Sequence, residues 1–272
     1  MAVGSGNKGT LAEQWNGRTW SVLPPPNRDR RDVLADVSCV AATACTAVGW
    51  GSSSTTSTTV IESWNGSSWS VVPSPTRGTV DQLSGVSCAS VAFCVAVGFA
   101  GDHTLVESWD GHAWSVAPSR SPGINAELDA VSCVSARSCT AVGLTTPRDG
   151  VATPLVESWD GRAWSKVPSP NTGKYDQVLS VSCTSARACV AVGTSGTGIG
   201  GRDTIVMSWD GSAWSLLPSP NPATGSYHYN FLTGVSCVAA TCTAAGSYGH
   251  STEQSTTSST LIEAGPLPGT AR

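Results

Sequence analysis

The ten cysteines of this 272-residue chain are the residues whose type and spacing speak most directly of chemistry. They fall into five local pairs: Cys39/Cys45, Cys88/Cys94, Cys133/Cys139, Cys183/Cys189 and Cys237/Cys242. One pair per sequence repeat, with none left over, reads as a disulfide framework. Unbridged buried thiols are the alternative. A zinc site needs about four ligands converging on one point, but the histidines (His103, His112, His228, His250) occupy unrelated places in the pattern. No metal and no cofactor is expected. Five disulfides need an oxidising compartment, so the expected location is secreted or extracellular.

Catalytic chemistry is harder to find. Glu13, Glu62, Glu107, Glu157 and Glu263 recur at one place in the repeat, and Met207 takes that place once. A carboxylate repeated in every unit is structural, because a single active site needs asymmetry. Arg77, Arg120, Arg148 and Arg202 stand in or beside connections, at unequal positions. Neither a Gly-x-Ser-x-Gly nucleophile turn nor a His-Glu-x-x-His metal motif occurs. No catalytic residue is assigned.

Binding chemistry has better candidates. Tyr227, His228, Tyr229 and Asn230 are consecutive in one connection, with Trp50 and Tyr175 in others. Aromatic rings beside amides suit the faces and hydroxyls of sugars. An ordinary exposed connection is the competing reading of the same residues.

These residues hang on a cassette repeated about five times. Val-Ser-Cys begins at Val37, Val86, Val131, Val181 and Val235, at spacings of 45 to 54 residues. Paired tryptophans follow at Trp15/Trp20, Trp64/Trp69, Trp109/Trp114, Trp159/Trp164 and Trp209/Trp214. Each unit divides into four short runs rich in Val, Thr and Trp and bounded by Gly and Pro, which are strand signals. Four antiparallel strands per repeat of this length is the size of a propeller blade. The fold class is therefore all-β, a β-propeller in one domain over residues 1–272. Complete repeats lie at about 37–75, 86–120, 131–170 and 181–220, with partial ones at 2–24 and 235–263.

Between the third and fourth strands sit Asn16-Gly17, Asn65-Gly66, Asp110-Gly111, Asp160-Gly161 and Asp210-Gly211. They read as two-residue type I′ turns, which would set Trp109 opposite His112 and Glu107 opposite Trp114. Both tryptophans of a unit would then fill the gap between neighbouring sheets. Counting strands favours five blades, the last taking strand one from the C-terminal piece and strand four from the N-terminal piece. Six blades, two of them incomplete, or a fragment of a larger ring are the alternatives. Met1 to Leu11 has no signal-peptide pattern, and Ala2-Val3-Gly4 matches the interior of a repeat, so a truncated start is expected.

The Ser-Trp-Asp-Gly-x-x-Trp turn resembles the Asp box of sialidase-like propellers, Ser-x-Asp-x-Gly-x-Thr-Trp. Ser108, Asp110, Gly111 and Trp114 line up in order, with one residue fewer between Asp and Gly. The whole chain is also similar to secreted bacterial repeat proteins built from the same Ser-Trp-Asn-Gly and Val-Ser-Cys units. The first resemblance implies a structural turn, and the second implies no defined activity.

Composition narrows the partners. Charged residues are 12% of the chain and its net charge is -4, which offers no stripe for nucleic acid or anionic lipid. The one basic run, Arg28, Arg30 and Arg31, lies in a proline-rich connection. No window approaches the roughly 18 apolar residues of a membrane span. The function expected is a monomeric, non-catalytic binding module for a glycan or cell-surface polymer, acting through its variable loops. A sialidase-like glycoside hydrolase and a purely structural surface protein are the alternatives.

Overall fold

The computed structural model describes the chain except residues 8, 25, 27–30, 54, 76–77, 120–123, 148–149, 173–174, 197–199, 252–255 and 267–272. Arg28, Arg30, Arg77, Arg120 and Arg148 lie outside the described residues. Strands and turns, with no helix, make up what is described. The chain divides into two compact units, Met1–Ser119 and Arg120–Arg272.

Unit 1 holds three antiparallel sheets. The first is β1 (Ala2–Gly6), β2 (Gly9–Trp15) and β3 (Trp20–Leu23). The second is β4 (Asp32–Ala41), β5 (Ala44–Ser52), β6 (Ser57–Trp64) and β7 (Trp69–Val72). The third is β8 (Asp81–Ser90), β9 (Phe93–Ala100), β10 (His103–Trp109) and β11 (Trp114–Val116).

Unit 2 continues the pattern. Its fourth sheet is β12 (Ile124–Ser135), β13 (Ser138–Thr146), β14 (Thr153–Trp159) and β15 (Trp164–Lys166). The fifth is β16 (Asp176–Ser185), β17 (Ala188–Gly196), β18 (Arg202–Trp209) and β19 (Trp214–Leu216). The sixth is β20 (His228–Val238), β21 (Thr241–Ser251) and β22 (Thr256–Pro266), joined to the fifth by a single parallel bridge, Arg202 to Tyr229. Each terminal piece thus keeps its own copies of strands two and three, in a three-stranded sheet.

Every cysteine pair is a disulfide between directly opposed residues of the first two strands, with Cα atoms 4.0 Å apart. The bonds are Cys39–Cys45, Cys88–Cys94, Cys133–Cys139, Cys183–Cys189 and Cys237–Cys242. Closing so small a loop contributes about 2 kcal/mol by loop entropy.

The two ends of each bond are not equivalent. Cys45, Cys94, Cys139, Cys189 and Cys242, all in the second strand, are 1–7% exposed, while their strand-one partners reach the surface. The disulfides are those expected from the spacing, and in each the strand-two cysteine is a core residue. Opposed residues share a face, so the difference comes from packing: the strand-two cysteine is the end covered by apolar side chains. Cys139 shares the buried face of β13 with Ala141. Cys189 packs with Val142, Val156 and Trp214, and Cys242 with Leu232 and Leu261.

A bulge also lies in each strand one, as between Leu83 and Gly85, and it brings that strand's backbone close to the glycine of Ala-Val-Gly. A Cβ on Gly98 would collide with the Gln82 carbonyl, and the same holds for Gly49 against Val33, Gly143 against Glu127 and Gly193 against Gln177. Only hydrogen fits there.

The turn between strands three and four differs from the expected type I′. Trp109 pairs with Trp114 and Glu107 with Val116, so the loop has four residues rather than two. The physical reason is the Asp110 carboxylate. Its Oδ1 accepts the amides of His112 and Ala113 at 2.8 and 2.9 Å, an Asx turn that needs positive φ at Gly111 alone. Asn16, Asn65, Asp160 and Asp210 do the same. A shift of two residues preserves the side-chain face, so Glu107, Trp109 and Trp114 still point the same way.

The two tryptophans have different jobs. Strand-four Trp69, Trp114, Trp164 and Trp214 are 5–8% exposed. Trp114 packs with Val48 and Ile61 of the preceding sheet, and Trp214 with Val142 and Val156. The strand-three rings Trp109, Trp159 and Trp209 are only half-buried. Their indole N–H groups donate to carbonyls inside the cysteine loops: Val91, Ala136 and Ala186, at 3.1–3.2 Å. Each such ring staples the third strand to the hairpin of the first two.

Candidate functional site

In unit 2 the ends of β18, β20 and β21, with Gly200 and Tyr227 from the connections before β18 and β20, form a cleft of about 600 Å³ lined by Gly200, Arg202, Tyr227, His228, Tyr229, Phe231 and Ser251. Strand alternation divides the run singled out in the sequence. His228, Asn230 and Leu232 are buried on one face of β20, while Tyr229 and Phe231 occupy the other. Tyr229 and Phe231 stack, centroids 5.5 Å apart, and form one aromatic wall. The Tyr229 ring lies across Gly249, and its hydroxyl donates to the Thr257 carbonyl at 2.6 Å.

Tyr227 also lines the cleft. It takes φ +57°, a left-handed backbone uncommon for a residue with a side chain. It is 58% exposed, and its ring packs directly over Gly200. The turn is held from below. Asn230, fully buried, accepts the Ala223 amide and donates to the carbonyls of Ala223 and Arg202 at 3.0 and 3.2 Å. His228 reaches Asp203 Oδ1 through Nε2 at 3.1 Å and the Gly225 carbonyl through Nδ1. Asn230 therefore shapes the site without facing it.

Arg202 supplies the cationic group. The parallel bridge sets it beside Tyr229, and its guanidinium lies 5.0 Å from the Tyr175 ring centroid, a cation–π distance. The cleft therefore offers flat rings, a guanidinium fork and the Ser251 hydroxyl, a set fitted to stacking and to hydrogen bonding with hydroxyl or anionic oxygens. Trp50 belongs to unit 1 and sits within β5, paired with Val33 and Thr59, rather than in a connection. The unit 2 disulfides, with Cys139, Cys189 and Cys242 at their buried ends, do not line the cleft. Among the described residues no cluster of three or more His, Cys, Asp or Glu could hold a metal ion. Arg202, Phe231 and Ser251 were not singled out as ligands from sequence. The only signal for Phe231 was its period-two spacing from Tyr229.

No protein-family model matches the chain, and no curated protein does. Solved structures do resemble it. The SapL1 lectin in complex with α-methyl fucoside superposes with a TM-score of 0.55 at 10% identity, covering 97% of this chain and 90% of the lectin. A protein of unknown function from Dyadobacter fermentans gives 0.54 at 14% identity, covering 86% and 78%. YCF48 bound to D1 peptide gives 0.50 at 13% identity, covering 82% of this chain; the match spans 64% of that chain, under two thirds of its length. The fold is that of a β-propeller.

At such identities the likeness concerns the fold alone. In the propeller the cysteines, tryptophans and Asx turns build sheets, and the cleft is built from what differs between repeats. The repeated glutamates are explained in the same way. Glu107 accepts from Ser74 at 2.9 and 3.1 Å, and Glu263 from Ser219 at 3.0 Å, so these two tail serines latch onto the next sheet, whereas Ser169 donates to the Pro154 carbonyl of its own sheet. Thr10 plays that part for Glu62. These carboxyls are structural latches and are not assigned to the site.

Proposed function

We propose that this chain is a secreted, non-catalytic β-propeller that binds a glycan or cell-envelope polymer in the cleft of unit 2. The observation that carries the reading is a cleft lined by the stacked Tyr229 and Phe231 rings together with Tyr227 and Arg202. Stacking on rings supplies affinity, and the guanidinium and hydroxyl supply orientation. Two further facts support it: five disulfides suit an extracellular setting, and the structurally similar SapL1 lectin is itself in complex with a fucoside.

A glycan-array screen run beside a panel of chromogenic glycosides tests the proposal. Binding to a family of glycans with no turnover is the expected result. Turnover that disappears on changing Arg202 would replace it with a hydrolase, and silence in both assays would leave a purely structural module.

A further inference from the structure

Arg202 carries a charge that nothing in the fold consumes. It is half-buried at the cleft, and its guanidinium rests 5.0 Å from the Tyr175 ring centroid. Among the described residues no carboxylate pairs with that guanidinium and no oxygen accepts a hydrogen bond from it. The neighbouring carboxylate is turned away. Strand alternation puts Asp203 on the other face of β18, where His228 Nε2 at 3.1 Å and Asn230 Nδ2 at 3.4 Å occupy its Oδ1. No Asp or Glu lines the cleft among the described residues. The backbone fixes the cation's place. Gly196 of β17 pairs with Arg202, and its amide donates to the Tyr175 carbonyl at 2.7 Å. On the other edge of β18 the parallel bridge ties Arg202 to Tyr229 of β20. Tyr175 and Tyr229 are thus anchored on opposite sides of the strand end that bears the cation.

A guanidinium held over a ring keeps its N–H edge for a planar partner, and that fork matches a carboxylate in bidentate fashion. Covering the cation with a neutral sugar would strip water from it and return no counter-charge, which costs free energy. A carboxylate on the ligand removes that cost. We propose that the ligand of this cleft is an acidic saccharide, with a uronic acid unit stacked on the Tyr229 and Phe231 rings and its carboxylate in the Arg202 fork. The proposal rests on the glycan reading of the cleft and narrows it to one chemical class. Arg202 is then the specificity-determining residue, and Tyr175 is the residue that positions it.

Affinities for short oligomers of glucuronate, galacturonate and mannuronate, for their methyl esters and for sulfated neutral oligosaccharides of the same length provide the test. The wild type should bind the best free acid at least about tenfold tighter than its ester, the worth of one charge-assisted hydrogen-bonded pair. Arg202→Gln should bind acid and ester alike, and Arg202→Lys should keep only part of the preference, because an ammonium has the charge without the fork. Tyr175→Leu should lower the acid-to-ester ratio while leaving affinity for the ester unchanged. Unreactive cysteines and an unchanged circular dichroism spectrum verify that the variants are folded, and the acid-to-ester comparison on the wild type needs no variant at all. Equal wild-type affinity for acid and ester, or a preference that survives in Arg202→Gln, would overturn the acidic class and leave the glycan reading standing. A sulfated chain bound as tightly as the best uronate would overturn the carboxylate. Silence toward all of these probes would overturn the proposal as well, and only a silent glycan array would take the glycan reading with it.

Discussion

The repeated glutamates show how a residue that looks catalytic can be a structural device with a pH signature. Burial pushes the carboxyls of Glu62 and Glu107 up to about 7, against the hydrogen bonds from Thr10 and Ser74 that pull them down. Asp129 is raised to about 7 by burial and then by the neighbouring Glu127, with Gln177 opposing. The folded protein therefore holds these protons up to about pH 7, while the unfolded chain releases them at 4.5 for Glu and 3.8 for Asp. Between those values the folded state binds more protons, so stability falls as pH rises through the window and levels off above it. The Asx-turn carboxylates are held low, Asp210 at about 2, and act only in stronger acid. We expect the melting temperature at pH 5 to exceed that at pH 8, by on the order of 5 °C. In Glu62→Gln/Glu107→Gln the gap should shrink, because the amide keeps the latch without the charge. A flat profile in the wild type would contradict the raised carboxyls.

At the scale of the strand and turn, most of the architecture was legible because the signals are local. Val-Ser-Cys, Ala-Val-Gly and the Trp pairs sit where strand alternation puts them, and the cysteine spacing gave the disulfides. Which end of each bond is buried follows from sheet packing and was not legible. Nor was the turn register: Asn-Gly and Asp-Gly favour a two-residue turn in isolation, and only the side-chain acceptance of two amides reveals the longer loop. Because Asn16 and Asn65 cap their turns as the aspartates do, Asp160→Asn should melt like the wild type and Asp160→Ala lower. The glycine of Ala-Val-Gly gives a sharper contrast. Gly98→Ala should cost about 1–3 kcal/mol by forcing the bulged strand away, whereas nothing lies within 4 Å of a Cβ on Gly4, whose sheet lacks a first strand. Equal losses at Gly98 and Gly4 in chemical denaturation would show that the bulge is not the cause.

At the scale of the whole chain, invariance and function separate. The constant residues build the sheets of both units, and the cleft arises where repeats disagree: a left-handed tyrosine, a parallel bridge and two rings on one side of β20. The sequence pointed to Tyr227 and Tyr229 because aromatics cluster there. It could not show that Asn230 turns inward, that Trp50 lies in the other unit, or that Arg202 is brought to Tyr229 by a bridge 27 residues apart in sequence. Those are consequences of pairing between distant strands, which no local pattern encodes. The account stands on that cleft being the binding surface. Titration calorimetry with the best glycan from the array, on the wild type and on Tyr229→Ala, Arg202→Ala and His112→Ala, tests it most directly. The cleft variants should lose at least about tenfold in affinity, with His112→Ala, on an exposed turn of unit 1, unchanged. Wild-type affinity in both cleft variants would contradict the assignment.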